Sequence, residues 1–171
     1  EAELSYRQAI AINPDLAETH LNLGTILRDL DKLKDAELSY RKAIELNPDF
    51  AEAHYNLGIL LSDIGKLKEA EISYRKAIEI KPDFAEAHSN LGMILKELGK
   101  LKDAELSTRK AIEIKPNYAK AHLSLGNILR DIGNLQDAFD SYLKAIDINP
   151  KLSNIYHSIT RLLQDSDPSQ L

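Results

Sequence analysis

Apolar residues recur along this chain with helical spacing, in blocks separated by short polar turns. Between residues 51 and 63 the apolar positions include Ala53, Leu57, Leu60 and Leu61. Residues three, four and seven positions apart share one face of an α-helix, so this block predicts a helix from about Ala51 to Asp63. The next block predicts a second helix from about Lys68 to Ile80. Its inner face carries Ala70, Tyr74, Ala77 and Ile78.

The residues that flank these two helices indicate how each one ends. Gly65 follows the first helix and suits a left-handed C-cap, a conformation that glycine adopts without steric cost. Leu67 is expected in the turn. Pro82 follows the second helix and ends it, because proline lacks the backbone N–H that would continue the helical hydrogen bonds.

The helix pair repeats every 34 residues. The prolines of this series are Pro14, Pro48, Pro82, Pro116 and Pro150. Glycines keep the same interval at Gly24, Gly58, Gly92 and Gly126. A period of 34 residues with this placement of glycine and proline is typical of helix–turn–helix repeats stacked into a solenoid. We therefore expect an all-α array that presents an extended binding surface and no enclosed pocket.

The period divides the chain into a single array, residues 1–171, of about ten helices. Its expected parts are an orphan second helix (1–16), four full repeats (17–50, 51–84, 85–118 and 119–152), a closing helix (153–164) and a polar tail (165–171). Because the chain begins within a repeat, we expect it to belong to a longer protein.

Composition narrows the classes of partner. The 22 basic and 27 acidic residues give a net charge of -5 and are interspersed, which argues against nucleic acid. No apolar run is long enough to cross a bilayer. Cysteine is absent, so no thiol chemistry or disulfide is expected. No signal peptide is visible, and a cytoplasmic location is the default expectation.

The recurring positions of one repeat closely resemble the tetratricopeptide repeat (TPR) family. They are His54, Leu57, Gly58, Ala70, Tyr74, Ala77 and Pro82. The run from Ala51 to Gly58 also resembles the repeats of O-linked N-acetylglucosamine transferases and related bacterial arrays. The resemblance implies a right-handed superhelix whose first helices line a concave groove.

In those relatives, asparagines at repeat position 6 hold the backbone of an extended peptide. Carried over by position, this ladder is Asn22, Asn56 and Asn90, and it lapses to Ser124 and Ser158. An amide offers a donor and an acceptor together, so it suits both groups of a peptide backbone. Further groove residues are expected at Tyr55, Ile59, Met93 and Asn127. An inter-repeat hydrogen bond or inheritance from a duplicated ancestor would also explain the asparagine row.

Acidic residues near this row suggest which ligand the groove would accept. Glu18, Glu52 and Glu86 share position 2, which changes to Lys120 in the last full repeat. We expect an extended, neutral to basic protein or peptide segment with a few apolar side chains. The equally simple alternative is a solvated charged surface. Positions 5 and 6 hold no Lys or Arg, so the two-carboxylate clamp of chaperone-binding TPR domains is not expected.

No catalytic constellation, phosphate-binding loop or cofactor motif stands out. The histidine row His20, His54, His88 and His122 is not expected to bind metal. Zinc needs its ligands within a few ångströms of one another, whereas stacked helices lie about 8–10 Å apart. We therefore expect a non-catalytic protein-interaction module without metal or cofactor.

Two other functions remain open from the sequence. The chain could recruit substrates for a larger enzyme, such as a glycosyltransferase, or it could serve as a self-associating scaffold. End-to-end association would use the open N-terminal helix. An aliphatic row on the convex face would be another contact surface; its residues are Leu4, Leu38, Ile72 and Leu106. The favoured interpretation is instead that the stems of lysine and arginine side chains cover this row.

One repeat departs from the pattern inside the predicted core. Thr108 replaces the tyrosine of the other second helices. Loss of a buried aromatic costs about 3–5 kcal/mol where the site cannot collapse. The sequence therefore predicts a weak joint near residues 105–125, and a higher melting temperature for Thr108→Tyr.

Overall fold

The structure, a computed structural model, describes residues 1–151 and 157–160. Regular secondary structure in these ranges is helical throughout. The helices are α1 (Ala2–Ile12), α2 (Ala17–Asp29), α3 (Leu33–Leu46), α4 (Ala51–Asp63), α5 (Leu67–Ile80), α6 (Ala85–Glu97), α7 (Leu101–Ile114), α8 (Ala119–Ile132) and α9 (Leu135–Ile148). Residues 157–160 are also helical. The rest of the predicted closing helix and the tail lie outside the described residues.

The helices form two compact units, Glu1–Pro82 and Asp83–Leu171. In the first unit, each of α1 to α4 packs against the helix that follows it, and α2 also contacts α4. In the second unit, α6, α7 and α8 each pack on the next helix, and α6 contacts α8. This packing of consecutive helix pairs confirms the all-α solenoid class predicted from the sequence.

The turns between paired helices use the left-handed backbone conformation. Gly65, Gly99 and Gly133 have φ values of 76°, 75° and 94°. In the first repeat Asp31 takes this place with φ 59°, an adaptation open to the short polar Asp side chain. The prediction for Leu67 was wrong, because it is the first residue of α5 and not part of the turn.

A glycine–tyrosine contact joins the two helices of a repeat. The Cβ that glycine lacks would lie 2.7 Å from the Tyr40 ring at Gly24 and 2.7 Å from the Tyr74 ring at Gly58. These tyrosines are 0% and 2% exposed. Glycine is therefore needed at these positions, since only a residue without Cβ leaves room for the aromatic ring.

In the pair α6–α7, the smaller residue Thr108 takes the place of the tyrosine beside the glycine. Thr108 is fully buried, and its hydroxyl donates to the Ala104 carbonyl at 2.8 Å. The Thr108 hydroxyl closely approaches the Cβ position of Gly92, and the Ala104 carbonyl lies 3.1 Å from that position. The helices have thus closed around the threonine. This removes the unfilled space on which the prediction of a weak joint rested.

We now expect Thr108→Tyr to lower the melting temperature. The ring must force α6 and α7 apart, and overpacking of this kind costs about 1–3 kcal/mol. Thermal unfolding followed by circular dichroism measures the effect, with Thr108→Ser as the control that leaves the spacing unchanged. A higher melting temperature for Thr108→Tyr would restore the weak-joint explanation.

Candidate functional site

The three asparagines of the predicted ladder lie at equivalent places on first helices. Asn22 is on α2, Asn56 on α4 and Asn90 on α6, and each is half-buried. Within the described part of the chain, the side-chain amides of Asn22 and Asn56 form no hydrogen bond. These two amides are therefore not used to join repeats to each other.

Two further predicted residues flank Asn56 on α4. Tyr55 and Ile59 are half-buried, and the Tyr55 ring packs against the Tyr74 ring with centroids 5.9 Å apart at 53°. Tilted contacts of this kind add about 0.5–1.5 kcal/mol beyond burial. Tyr74 in turn packs against Gly58, so the spacing of α4 and α5 also positions the side chains around Asn56.

Met93, Ser124 and Asn127 come together in the second unit. They line a pocket of about 390 Å³ between α6 and α8. Its other lining residues are Lys96, Glu97, Lys120, Leu123 and Ile128. The pocket thus has an apolar floor and a charged rim, and it holds three residues that the sequence predicted for the site.

A tyrosine hydroxyl orients one of these three side chains. Tyr142 donates a hydrogen bond of 2.9 Å to Oδ1 of Asn127. Tyr40 makes the equivalent bond to Thr25 at 3.3 Å. Sequence reasoning missed this pairing, although the constant interval of 15 residues between the two positions could have suggested it. Since Oδ1 of Asn127 is occupied, its Nδ2 donor is left for another acceptor.

An ion pair joins the two walls of the pocket. Lys96 on α6 lies 2.9 Å from Asp131 on α8, and Arg130 also contacts this carboxylate at 3.0 Å. Burial raises the pKa of Asp131, but the hydrogen bonds from Lys96 and Arg130 outweigh it and the pKa is lowered overall. The carboxylate therefore stays ionised at neutral pH and fixes the Lys96 ammonium.

This pair predicts a small acid-dependent loss of stability. Because the pKa of Asp131 is lower in the folded state than in the unfolded state, the pair stabilises the fold above the unfolded value of about 3.9. The contribution is lost as the pH falls through the folded-state pKa. At pH 7, Asp131→Asn should cost less than about 1 kcal/mol, because the pair is partly exposed.

Melting temperatures of the wild type and of Asp131→Asn, measured between pH 7 and pH 2, would check this. We expect their difference to shrink as the wild-type carboxylate becomes protonated. Asp103→Asn on α7 is the matched control, since Asp103 is exposed and has no ion-pair partner in the described ranges. A difference that stays constant across the pH range would show that the charge of Asp131 does not stabilise the fold.

The acidic residues expected along the groove are partly neutralised. Glu52 pairs with Lys81 at 3.2 Å, and Glu86 pairs with Lys115 at 3.0 Å. The hydrogen bond to Glu86 raises the pKa of Lys115. The surface is therefore less acidic than the sequence suggested, because a lysine 29 residues further along lies beside each glutamate once the helices stack.

Histidine has a structural role at the start of first helices. Nε2 of His20 lies 2.9 Å from the Pro14 carbonyl, and His54 and His122 make the same contact with Pro48 and Pro116 at 2.9 and 2.8 Å. The ring thereby ties each helix to the turn that precedes it. In the described ranges, no group of three or more His, Cys, Asp or Glu side chains is arranged to hold a metal ion.

Comparisons with known proteins agree with this repeat architecture. A family model described as "Tetratricopeptide repeat" matches residues 51–84, 85–118 and 119–152, and one described as "TPR repeat" matches residues 24–65. The chain therefore belongs to the tetratricopeptide repeat family. TPR folds generally act as non-catalytic scaffolds for protein–protein interaction.

Solved structures share this fold. A MamA crystal structure is 28% identical, with 87% of each chain covered and a TM-score of 0.80. PilF of Pseudomonas aeruginosa is 21% identical, with 89% of this chain and 69% of that chain covered and a TM-score of 0.79. A thermophilic TPR protein of Thermus thermophilus is 19% identical, with 95% of this chain and 89% of that chain covered and a TM-score of 0.76.

These matches leave the partner open. In all, 414 solved chains match this fold, so the fold alone does not select a ligand. No curated protein is significantly similar in sequence. Among the described helices, none is long and apolar enough to cross a membrane.

Proposed function

We propose that this protein binds an extended segment of another protein in a concave groove formed by its first helices. Asn22, Asn56 and Asn90 hold the backbone of that segment. The observation that carries the proposal is the lack of hydrogen-bond partners for the side-chain amides of Asn22 and Asn56. Their amides are partly exposed and form no hydrogen bond within the described part of the chain.

Asparagine in the middle of a helix needs a reason. Its amide competes with the backbone for hydrogen bonds, and it favours turns and caps over helix interiors. A role in joining repeats would provide that reason, but in the described ranges the amides of Asn22 and Asn56 have no such partner. A bound backbone offers one N–H and one C=O per residue, which an amide matches irrespective of the ligand's sequence.

Specificity would come from the side chains around the ladder. Tyr55, Ile59 and Met93 offer apolar contact, and Ser124 and Asn127 offer polar contact. The pairing of Glu52 with Lys81 and of Glu86 with Lys115 leaves little net charge at those positions. As expected from the sequence, we propose a neutral to basic segment with a few apolar residues, bound without cofactor or metal.

The alternative in which this array recruits substrates for an attached enzyme uses the same groove and differs only in what is joined to it. Self-association would use a different surface. Leu38, Ile72 and Leu106 are 67%, 69% and 72% exposed on second helices, so this row faces solvent. The expectation that lysine and arginine stems cover it was wrong. Single exposed aliphatic residues are common on monomeric proteins, so this row does not favour a second function.

A random-peptide binding screen at two salt concentrations tests the proposal. We expect the wild type to enrich extended sequences with apolar residues, and we expect Leu38→Gln/Ile72→Gln/Leu106→Gln to enrich the same sequences and to keep its oligomeric state. Absence of enriched peptides with the wild type, or loss of binding in this triple variant, would contradict a groove on the first helices.

A further inference from the structure

We propose that the pocket between α6 and α8 binds a glutamate side chain of the ligand. This inference rests on the proposed function and names one ligand residue. The pocket, of about 390 Å³, is lined by both helices within the unit Asp83–Leu171. Two of its features are not repeated elsewhere in the four full repeats, namely a positive charge at position 2 and an amide at position 9.

Lys120 supplies the positive charge. Glutamate occupies this position in the three preceding full repeats, and lysine replaces it only here. Glu52 and Glu86 are paired with lysines of their own repeats, whereas Asn149 stands where that pairing lysine would be. Lys120 is exposed and has no ion-pair partner within the described residues. Its ammonium is thus available to a ligand carboxylate.

Asn127 supplies an oriented donor. Tyr142 donates to its Oδ1 at 2.9 Å, and Tyr142 is fully buried, so the amide cannot turn without losing that bond. Its Nδ2 has no acceptor among the described residues and is therefore left for one from outside the repeat. The neighbouring repeats have Met93 and Ile59 at this position, which lack a hydrogen-bond donor there.

Lys120, Ser124 and Asn127 lie on one face of α8. Their spacing of four and seven residues brings them to the same side over two helical turns. One turn rises about 5.4 Å, a span that a flexible lysine side chain covers. A carboxylate above Ser124 would then meet donors only, from the ammonium, the hydroxyl and the amide.

The other residues that line the pocket favour glutamate over other ligand side chains that accept hydrogen bonds. Met93, Leu123 and Ile128 form the apolar part of the pocket and would cover the two methylene groups of the side chain. The acidic group Glu97 lies at the other end. Its neighbour Lys96 pairs with Asp131, which is 11 residues beyond Lys120 and so about 16 Å further along α8. Charge therefore favours an acidic side chain at the Lys120 end.

Small probes test the pocket without a peptide ligand. Titration of ¹⁵N-labelled protein with N-acetyl-glutamate N-methylamide should shift the side-chain amide signals of Asn127. The glutamine analogue should need at least about ten times the concentration, a difference equivalent to one charge-assisted contact. Lys120→Glu should abolish the shift, whereas Lys102→Glu, the same charge change at an exposed lysine on α7, should leave it intact.

Failure of the pocket proposal can be told apart from failure of the proposed function. Equal shifts with the glutamate and glutamine probes, or shifts that survive Lys120→Glu, would overturn the proposal. N-acetyl-leucine carries a terminal carboxylate, and a response to it alone would overturn the assignment to a side chain. A response to the glutamate probe would support the pocket even if the peptide screen failed, and the screen can succeed where this pocket fails.

Discussion

Replacing Gly58 by leucine is expected to lower the free energy of unfolding by about 3 kcal/mol, among the largest stability effects expected of a single change in this chain. Even a Cβ at this position would lie 2.7 Å from Cε1, 2.8 Å from Cδ1 and 3.1 Å from Cζ of Tyr74. Tyr74 is 2% exposed, so its ring has no free space into which it could move. Either α4 and α5 must separate or the ring must leave its rotamer.

A second substitution shows whether the tyrosine ring is the cause. Tyr74→Ala alone should cost about 3–5 kcal/mol, because it leaves a cavity. In Gly58→Leu/Tyr74→Ala the leucine occupies that cavity, so the double variant should be less destabilised than the sum of the single variants. Urea unfolding followed by circular dichroism measures all three. Simple additivity would mean that the two residues do not compete for the same space.

The second large effect concerns binding. Asn22→Ala/Asn56→Ala/Asn90→Ala should weaken the affinity for peptides from the screen about 100-fold. A net loss of about 1 kcal/mol for each asparagine gives about 3 kcal/mol in total, and each 1.4 kcal/mol is about a factor of ten in affinity. Fluorescence anisotropy with a labelled peptide measures this loss directly.

A double variant, Asn22→Ala/Asn56→Ala, distinguishes a binding role from a structural one. Alanine is a better helix former than asparagine by about half a kcal/mol, so Asn22→Ala/Asn56→Ala should not lower the melting temperature. Lys34→Ala/Lys68→Ala/Lys102→Ala removes one exposed side chain from each of three second helices and should leave affinity unchanged. A fall in stability with unchanged affinity would assign the asparagines to the scaffold.

The repeat architecture was predictable because its determinants are local and recur. Helical spacing predicted α4 and α5, and Pro82 predicted the end of α5. The exceptions were also local. Asp31 adopts the left-handed turn that glycine provides elsewhere. Helix α5 begins at Leu67, one residue before the predicted start, and no side-chain cap marks that terminus.

Thr108 illustrates a harder problem. Its substitution for tyrosine is plain in the sequence, but whether the neighbouring helix closes on the smaller residue depends on packing that no single position encodes. The structure has Thr108 fully buried against α6, and this changes the expected sign of the Thr108→Tyr effect.

The candidate site was only partly predictable. Family resemblance predicts the ladder Asn22, Asn56 and Asn90 from their shared repeat position, and its binding role stays a prediction. The pairs Glu52–Lys81 and Lys96–Asp131 join residues 29 and 35 positions apart, so they depend on how successive helices stack. The hydrogen bond that orients Asn127 depends likewise on the distance between α8 and α9.

The central claim, that asparagines hold a ligand's backbone, is tested most directly by a double-mutant cycle between Asn56 and a backbone amide of a screened peptide. Each peptide amide is N-methylated in turn, and affinities are measured for the wild type and for Asn56→Ala. We expect one N-methyl group to weaken wild-type binding about tenfold and to have no further effect on Asn56→Ala. If every N-methyl group weakens binding to both proteins equally, Asn56 does not bind the peptide backbone.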